Sequence, residues 1–283
     1  MGQYYIALAQ CRRVSKGTED RRGEVLDSLY MFRSLVDYKF VGKDRVKKQN
    51  ELLMDIGIDI DFSNAISNVI RNKCRELGMN GWVISPFWEP NNDETWYETW
   101  YQLLKSGKGE KIKDFFVYNN YQLLNRIRGY TRFEVEKYNW WTEAENLFDK
   151  KLYFSCALVL SALLERKIRK CPIDNWRNKT TRYFKDSISD KIIQIYCDDR
   201  IEPISRYIDT LLLIPSLDGF IESFYNSGYT FDKGIEPQFM ERNWLMHGMT
   251  DREVSEEDCI KLFNVNGSLC YVLHALFGTD YGQ

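Results

Sequence analysis

Arg242, Asn243 and His247 are the side chains in this sequence best suited to chemistry, set together in the stretch Glu-Arg-Asn-Trp-Leu-Met-His-Gly from Glu241 to Gly248. Arginine offers a permanently charged planar fork that matches phosphate oxygens, and histidine is the side chain that gives or takes a proton near neutrality. On a helix Asn243 and His247 lie one step of four apart and share a face, while Arg242 stands about 140° from His247. A cleft could receive all three, and the set suits cleavage of a phosphodiester without a metal ion. The alternative is structural: the arginine pairs with Glu241 or a distant acid, and the histidine caps its own helix end, where the dipole favours a cation.

The elements that must position these residues read as helices almost throughout the C-terminal half. Trp140 to Phe148 opens it, and Lys150 to Lys170 forms a long helix apolar nearly all round, the pattern expected at the centre of a bundle. That helix carries an acid, Glu165, in Ser-Ala-Leu-Leu-Glu, and Pro172 stops it. Helices follow near 184–197 and 203–214, then a turn at Pro215 and a short helix to about Tyr225. The motif helix is expected from Pro237 to His247, with proline in its first turn and Gly248 at its end. Ser255-Glu-Glu-Asp258 caps the last helix, whose Ile260, Phe263, Leu269, Val272, Leu273 and Leu276 form a broad apolar face. On that helix His274, flanked by Leu273 and Ala275, is expected to be a packed histidine.

Arg242, Asn243 and His247, with the acidic upstream helix and the closing amphipathic helix, resemble the signature of the HEPN family: an arginine, a polar residue after it, and a histidine four to six residues beyond the arginine. The resemblance covers about the last 145 residues of the chain. It implies a dimer of helical bundles in which two copies of the motif helix face each other across one composite cleft, two-fold symmetry supplying the second set. It implies a metal-independent endoribonuclease needing no cofactor, with a 2′,3′-cyclic phosphate and a 5′-hydroxyl as products. His247 would act as general base or acid, Arg242 would stabilise charge on the phosphoryl oxygens, and Asn243 would orient the histidine or hold a phosphate. Glu165 would support them by fixing the guanidinium through a bidentate pair. The biology implied is defence against phage or a toxin-like stress response, with a regulatory protein partner or phage trigger. HEPN-like modules without activity also serve as dimerisation or binding parts, and that non-catalytic module is the competing expectation.

RNA guidance falls to local patches, because the net charge of −2 supplies no global attraction to nucleic acid. From Ser161 to Lys185 there are eight basic and two acidic residues, and Arg166, Arg169, Lys170, Arg177, Lys179 and Arg182 are the candidates for tracking an RNA backbone. A solvated helix end and loop would give the same composition. Between Lys105 and Lys137 basic residues also alternate with Phe115, Phe116, Tyr118, Tyr121, Tyr130 and Phe133. Ile112, Leu123, Leu124 and Ile127 recur there at helical spacing, so most of those rings are expected to face a core.

In the first half, helices are expected over 4–15, 23–38, more weakly 44–54, and 64–77. The last of these puts Ile66, Val69, Ile70, Cys74 and Leu77 on one core face, with Gly78 at C′. Asp55, Asp59 and Asp61 alternate with apolar residues before it. They suit a two-metal nuclease site or, more simply, a strand or loop whose last member, with Ser63, caps the helix. Trp82 to Pro90 reads as a short strand and a turn, and Trp96, Trp100 and Leu103 or Leu104 restart a helical period as a ring-rich cluster. The boundary is expected between Gly129 and Tyr138, giving a mostly helical N-terminal domain over 1–137, of unassigned role, and the HEPN-like domain over 138–283.

The composition, 44% apolar and 15% aromatic, is that of a globular chain, and the fold class expected is all-α. Seven cysteines are scattered singly with no Cys-x-x-Cys pair, which fits buried free thiols in a reducing cytoplasm better than disulfides or zinc. The start Met-Gly-Gln-Tyr-Tyr-Ile lacks a basic flank and a Ser or Thr at the sixth place, so neither a signal peptide nor myristoylation is expected. The longest nearly unbroken apolar run, Leu152 to Leu164, has the length of a core helix, so no membrane span is expected.

Overall fold

The computed structural model describes residues 60–87, 96–135, 137–170, 212–225 and 233–277. Within them the chain folds as α1 (Ile60–Met79), α2 (Trp96–Lys105), a 3₁₀ turn (Gly109–Lys111), α3 (Ile112–Glu134), α4 (Tyr138–Asp149), α5 (Tyr153–Lys170), α6 (Ile214–Phe224), α7 (Arg242–Met246) and α8 (Glu256–Phe277). No strand occurs among the described residues, and the class is all-α. The helices expected over 4–15, 23–38, 44–54 and 184–197, and most of 203–214, lie outside the described residues, as do Asp55 and Asp59.

The centre of the bundle is α8, where the sequence put α5. Every residue of α8 from Asp258 to Cys270 is buried, whereas Leu152 and Phe154 at the start of α5 are about half exposed. Three buried polar residues of α8 hide this in the sequence, because each donates to a backbone carbonyl inside the core. Asn264 donates to the Val83 carbonyl (2.6 Å), Asn266 to those of Leu160 (3.2 Å) and Leu262 (2.8 Å), and Ser268 to that of Ile84 (3.5 Å). A buried polar side chain is tolerated where it is so satisfied. The same bonds explain why Trp82 to Ser85 is buried yet forms no strand. Side chains satisfy its backbone in place of a ladder, with the Ser216 hydroxyl accepting from the Ile84 amide (3.0 Å).

Around α8, α3 and α5 pack on its flanks and α4 packs on α5. Trp82, Trp100 and Phe116 form a buried ring cluster, with Trp82 and Phe116 stacked at 5.6 Å, so Trp100 serves the core. Residues on both sides of 137 share one core, which runs from Ile70, Leu77 and Trp82 through Phe263 to Leu273. α1 is longer than the expected 64–77, and it takes in Asp61 and Ser63. Its stripe is narrower than expected, with Ile70, Cys74 and Leu77 buried and Val69 52% exposed. Gly81, at φ +88°, ends α1 in place of Gly78: the Trp82 amide bonds back to Leu77 and that of Gly81 to Gly78, a Schellman pair. Gly78 instead lies against α6, where a Cβ would fall 1.9 Å from the Ser216 carbonyl oxygen.

α3 is broken. Tyr118 is extended, and Asn119, Asn120 and Tyr121 follow in the left-handed region at φ +48°, +56° and +60°. Asparagine tolerates that region and tyrosine does so poorly. Beyond the break, Leu123, Leu124 and Ile127 return to the core as expected. Four of the cysteines, Cys74, Cys156, Cys259 and Cys270, are buried free thiols. No described helix is long and apolar enough to cross a membrane.

Candidate functional site

The motif helix begins at Arg242, five residues later than its proline suggests, because a carboxylate starts it. Glu241, buried at the N-cap, accepts hydrogen bonds from the Asn243 amide (2.9 Å) and the Trp244 amide (3.1 Å), filling the donors that a helix start leaves open. At the other end Gly248 takes φ +66°, and the amides of Gly248 and Met249 bond back to Leu245 and Trp244. That closure stops α7 at Met246 and makes His247 its C-cap. Met240, Trp244 and Leu245 anchor the short helix in the core, while Met246, His247, Gly248 and Met249 are exposed. His247 sits one turn beyond Asn243, its amide bonding to the Asn243 carbonyl (3.0 Å), as the spacing predicts.

At the head of α7, Arg242 lies against α5. Its Nε (3.0 Å) and Nη2 (2.7 Å) both donate to one oxygen of Glu165, and its Nη1 donates to the Asn243 side-chain carbonyl (2.6 Å). The pairing with Glu165, 77 residues upstream, is the one expected, but both bonds fall on Oε2 where a two-oxygen fork was expected. The second oxygen is occupied, since Oε1 accepts from Arg169 (2.8 Å). Guanidinium has five N–H donors. Among the described residues three are engaged, which leaves one N–H on each terminal nitrogen of a group whose orientation is already fixed. With a quarter of its side chain exposed, Arg242 can still meet an anion.

Burial alone would raise the pKa of Glu165. The hydrogen bonds and charges of Arg242 and then of Arg169 outweigh it and hold the carboxyl below its ordinary value of 4.5. Because the folded value is the lower one, the stabilisation is full above that ordinary value and is lost as pH falls through the folded value. The melting temperature of Glu165→Gln is therefore expected to fall furthest below the parent's near neutral pH, with the gap closing below about pH 4.5. A gap constant with pH would mean that the ion pair contributes nothing.

One neighbour has no signal in the sequence. Tyr225, just past α6, has a buried hydroxyl with no hydrogen-bond partner among the described residues. Burial pushes its phenol up, the nearby Glu165 charge adds to this, and Arg242 and Arg169 oppose it. Of the candidate RNA-tracking residues, Arg169 and Lys170 are exposed on α5 and Arg166 is half-buried, while Arg177, Lys179 and Arg182 lie outside the described residues. Arg169 is also part of the Glu165 clamp, and Lys167 in the same basic run is buried, donating to the Glu134 carbonyl (3.2 Å). His274 differs from a packed histidine: it is partly exposed, with Nδ1 2.9 Å from a Glu134 carboxylate oxygen.

No protein-family model, curated protein or solved structure matches this chain.

Proposed function

We propose that this chain is a metal-independent endoribonuclease of the HEPN type, working as a homodimer with a composite Arg/His cleft. The observation that carries this reading is the fixed guanidinium. Arg242 is held by Glu165 and Asn243 with donors to spare, at the head of a short helix whose other end presents an exposed imidazole. A preorganised cation of this kind stabilises charge that builds up on phosphoryl oxygens without having to reorganise. In the proposed step the ribose 2′-hydroxyl attacks phosphorus and gives up its proton, the bond to the departing 5′-oxygen breaks, and that oxygen takes a proton. His247 and its symmetry mate serve as base and acid. Met246, 38% exposed, and Met249, 51% exposed, flank His247 and give the proposed two-fold face apolar area to bury.

RNA supplied in excess chelator is expected to be cut, leaving 2′,3′-cyclic phosphate and 5′-hydroxyl ends, while DNA of the same sequence stays intact. Cleavage only on adding magnesium or manganese would replace this reading with a metal nuclease. Uncut RNA with every trigger tried would leave α7 as the docking element of a non-catalytic module. A role in phage defence or a stress response, under a regulatory partner or trigger, is part of the same proposal.

A further inference from the structure

At the far end of α5 from Glu165, the break in α3 opens onto a cavity of about 580 Å³, bounded by the end of α4, the start of α5 and Glu256 of α8. Tyr153, which lines it, precedes Glu165 by twelve residues on one helix, or ~18 Å along the axis. This cavity is separate from the site around Arg242. Its volume falls in the range of pockets that take small molecules.

Three cations line it, and they are not equivalent. Arg128 is spent: both terminal nitrogens donate to Asp149 (3.1 and 3.2 Å), Nε reaches Glu145 (3.4 Å), and its plane lies over Phe148 and Phe263. Arg132 gives Nε and Nη2 to Glu145, while its Nη1 meets no partner among the described residues, and 41% of its side chain is exposed. Lys151 holds none of the ion pairs formed among the described residues. The acid opposite them is already answered, since Glu256 accepts from the Tyr121 hydroxyl (2.6 Å) and pairs with Lys113 (3.3 Å). The unanswered charge in the cavity is therefore positive.

The remaining lining pairs flat rings with side-chain amides. Tyr121 and Tyr153 offer ring surface over a buried Phe148, and Asn125, whose amide nitrogen also donates to the Asn120 carbonyl (3.1 Å), an amide able to meet the edge of a base. Three lining residues hold left-handed backbone without being glycine, Asn120 at φ +56°, Tyr121 at φ +60° and Lys151 at φ +61°. Such conformations persist where the surroundings impose them, and they gather at ligand clamps. We propose that this cavity binds a nucleoside monophosphate, its phosphate on Lys151 and Arg132 and its base among Tyr121, Tyr153 and Asn125. The inference stands whether or not Arg242 cuts RNA.

Lys151→Gly is the informative variant, because glycine suits the left-handed position and removes only the charged side chain. Calorimetric titration of the full chain with AMP, GMP, CMP and UMP is expected to give saturable binding of at least one. Inorganic phosphate and the matching nucleoside, each tested alone, should bind at least about tenfold more weakly, since each offers only part of the contact. In Lys151→Gly the affinity should fall about tenfold while the melting temperature holds or rises. The proposal is overturned if no nucleotide binds by about 5 mM, where even a millimolar site would be largely filled. It is equally overturned if Lys151→Gly binds like the parent, or if inorganic phosphate alone binds as tightly as the best nucleotide. RNA cleavage is no part of the readout, so this result and the nuclease assignment fail or survive independently.

Discussion

Replacing Arg242 by alanine is expected to slow RNA cleavage about a thousandfold, the scale lost when a preorganised donor to a developing oxyanion is removed. His247→Ala is expected to cost about a hundredfold to ten-thousandfold through the loss of proton transfer. Neither change should unfold the protein. Arg242 is partly exposed and its partner Glu165 keeps Arg169 on its second oxygen, while His247 is an exposed helix end. Arg242→Lys separates charge from geometry. Lysine retains the charge but cannot place two donors on Glu165 and a third on Asn243 at once, so its activity should stay well below the parent's. These rates are to be measured in chelator, with circular dichroism melts and the oligomeric state checked for each variant. Parent-like cutting by Arg242→Ala would remove this arginine from the chemistry and with it the main support for the nuclease proposal.

What could be read in advance about this site followed from local rules. The one-turn relation of Asn243 to His247 is fixed by helix geometry, and Gly248 closes α7 because its left-handed φ lets two amides turn back onto the last turn. Glu165 stood out as an acid in an apolar helix, and it does meet Arg242. Where α7 starts was not legible, since Glu241 is outside the side chains most favoured at an N-cap and Pro237 offered a more familiar signal. The place of α8 was lost for a related reason. Lys261, Asn264, Asn266 and Ser268 look like a wet face, yet all are buried, and the partners of the last three are backbone carbonyls supplied by three-dimensional neighbours or by the helix itself. Sequence periodicity registers polarity and is blind to whether that polarity is satisfied. Tyr225 was hidden because α5, α6 and α7 come together only in the fold, whereas Arg169, four residues after Glu165 on α5, stood at the spacing of a helical ion pair. The break in α3 did carry a signal, the pair Asn119-Asn120, whose side chains favour the left-handed conformation they adopt.

Gly78→Ala is expected to destabilise the protein by about 3 kcal/mol, although the same exchange inside an open helix normally helps. The contact between α1 and α6 is backbone on backbone. A Cβ at Gly78 would fall 1.9 Å from the Ser216 carbonyl oxygen, and one at Gly219 would fall 2.1 Å from that of Arg75. Neither obstacle is a flexible side-chain tip, so the helices would have to separate. Around that contact Arg75 reaches Asp218 and Glu222, and Ser216 holds the Ile84 amide, so separation would also pull the Trp82–Ser85 segment away from α8. Gly219→Ala should behave in the same way. Gly129→Ala is the control. It lies in α3 with nothing within 4 Å of its added carbon, so the gain in helix propensity should stabilise the fold by about 0.5–1 kcal/mol. At roughly 2–4 °C per kcal/mol for a domain of this size, the two classes of variant should melt on opposite sides of the parent. A Gly78→Ala protein as stable as the parent would show that α1 and α6 do not meet at this distance, and one core would no longer join the helices before residue 137 to those after it.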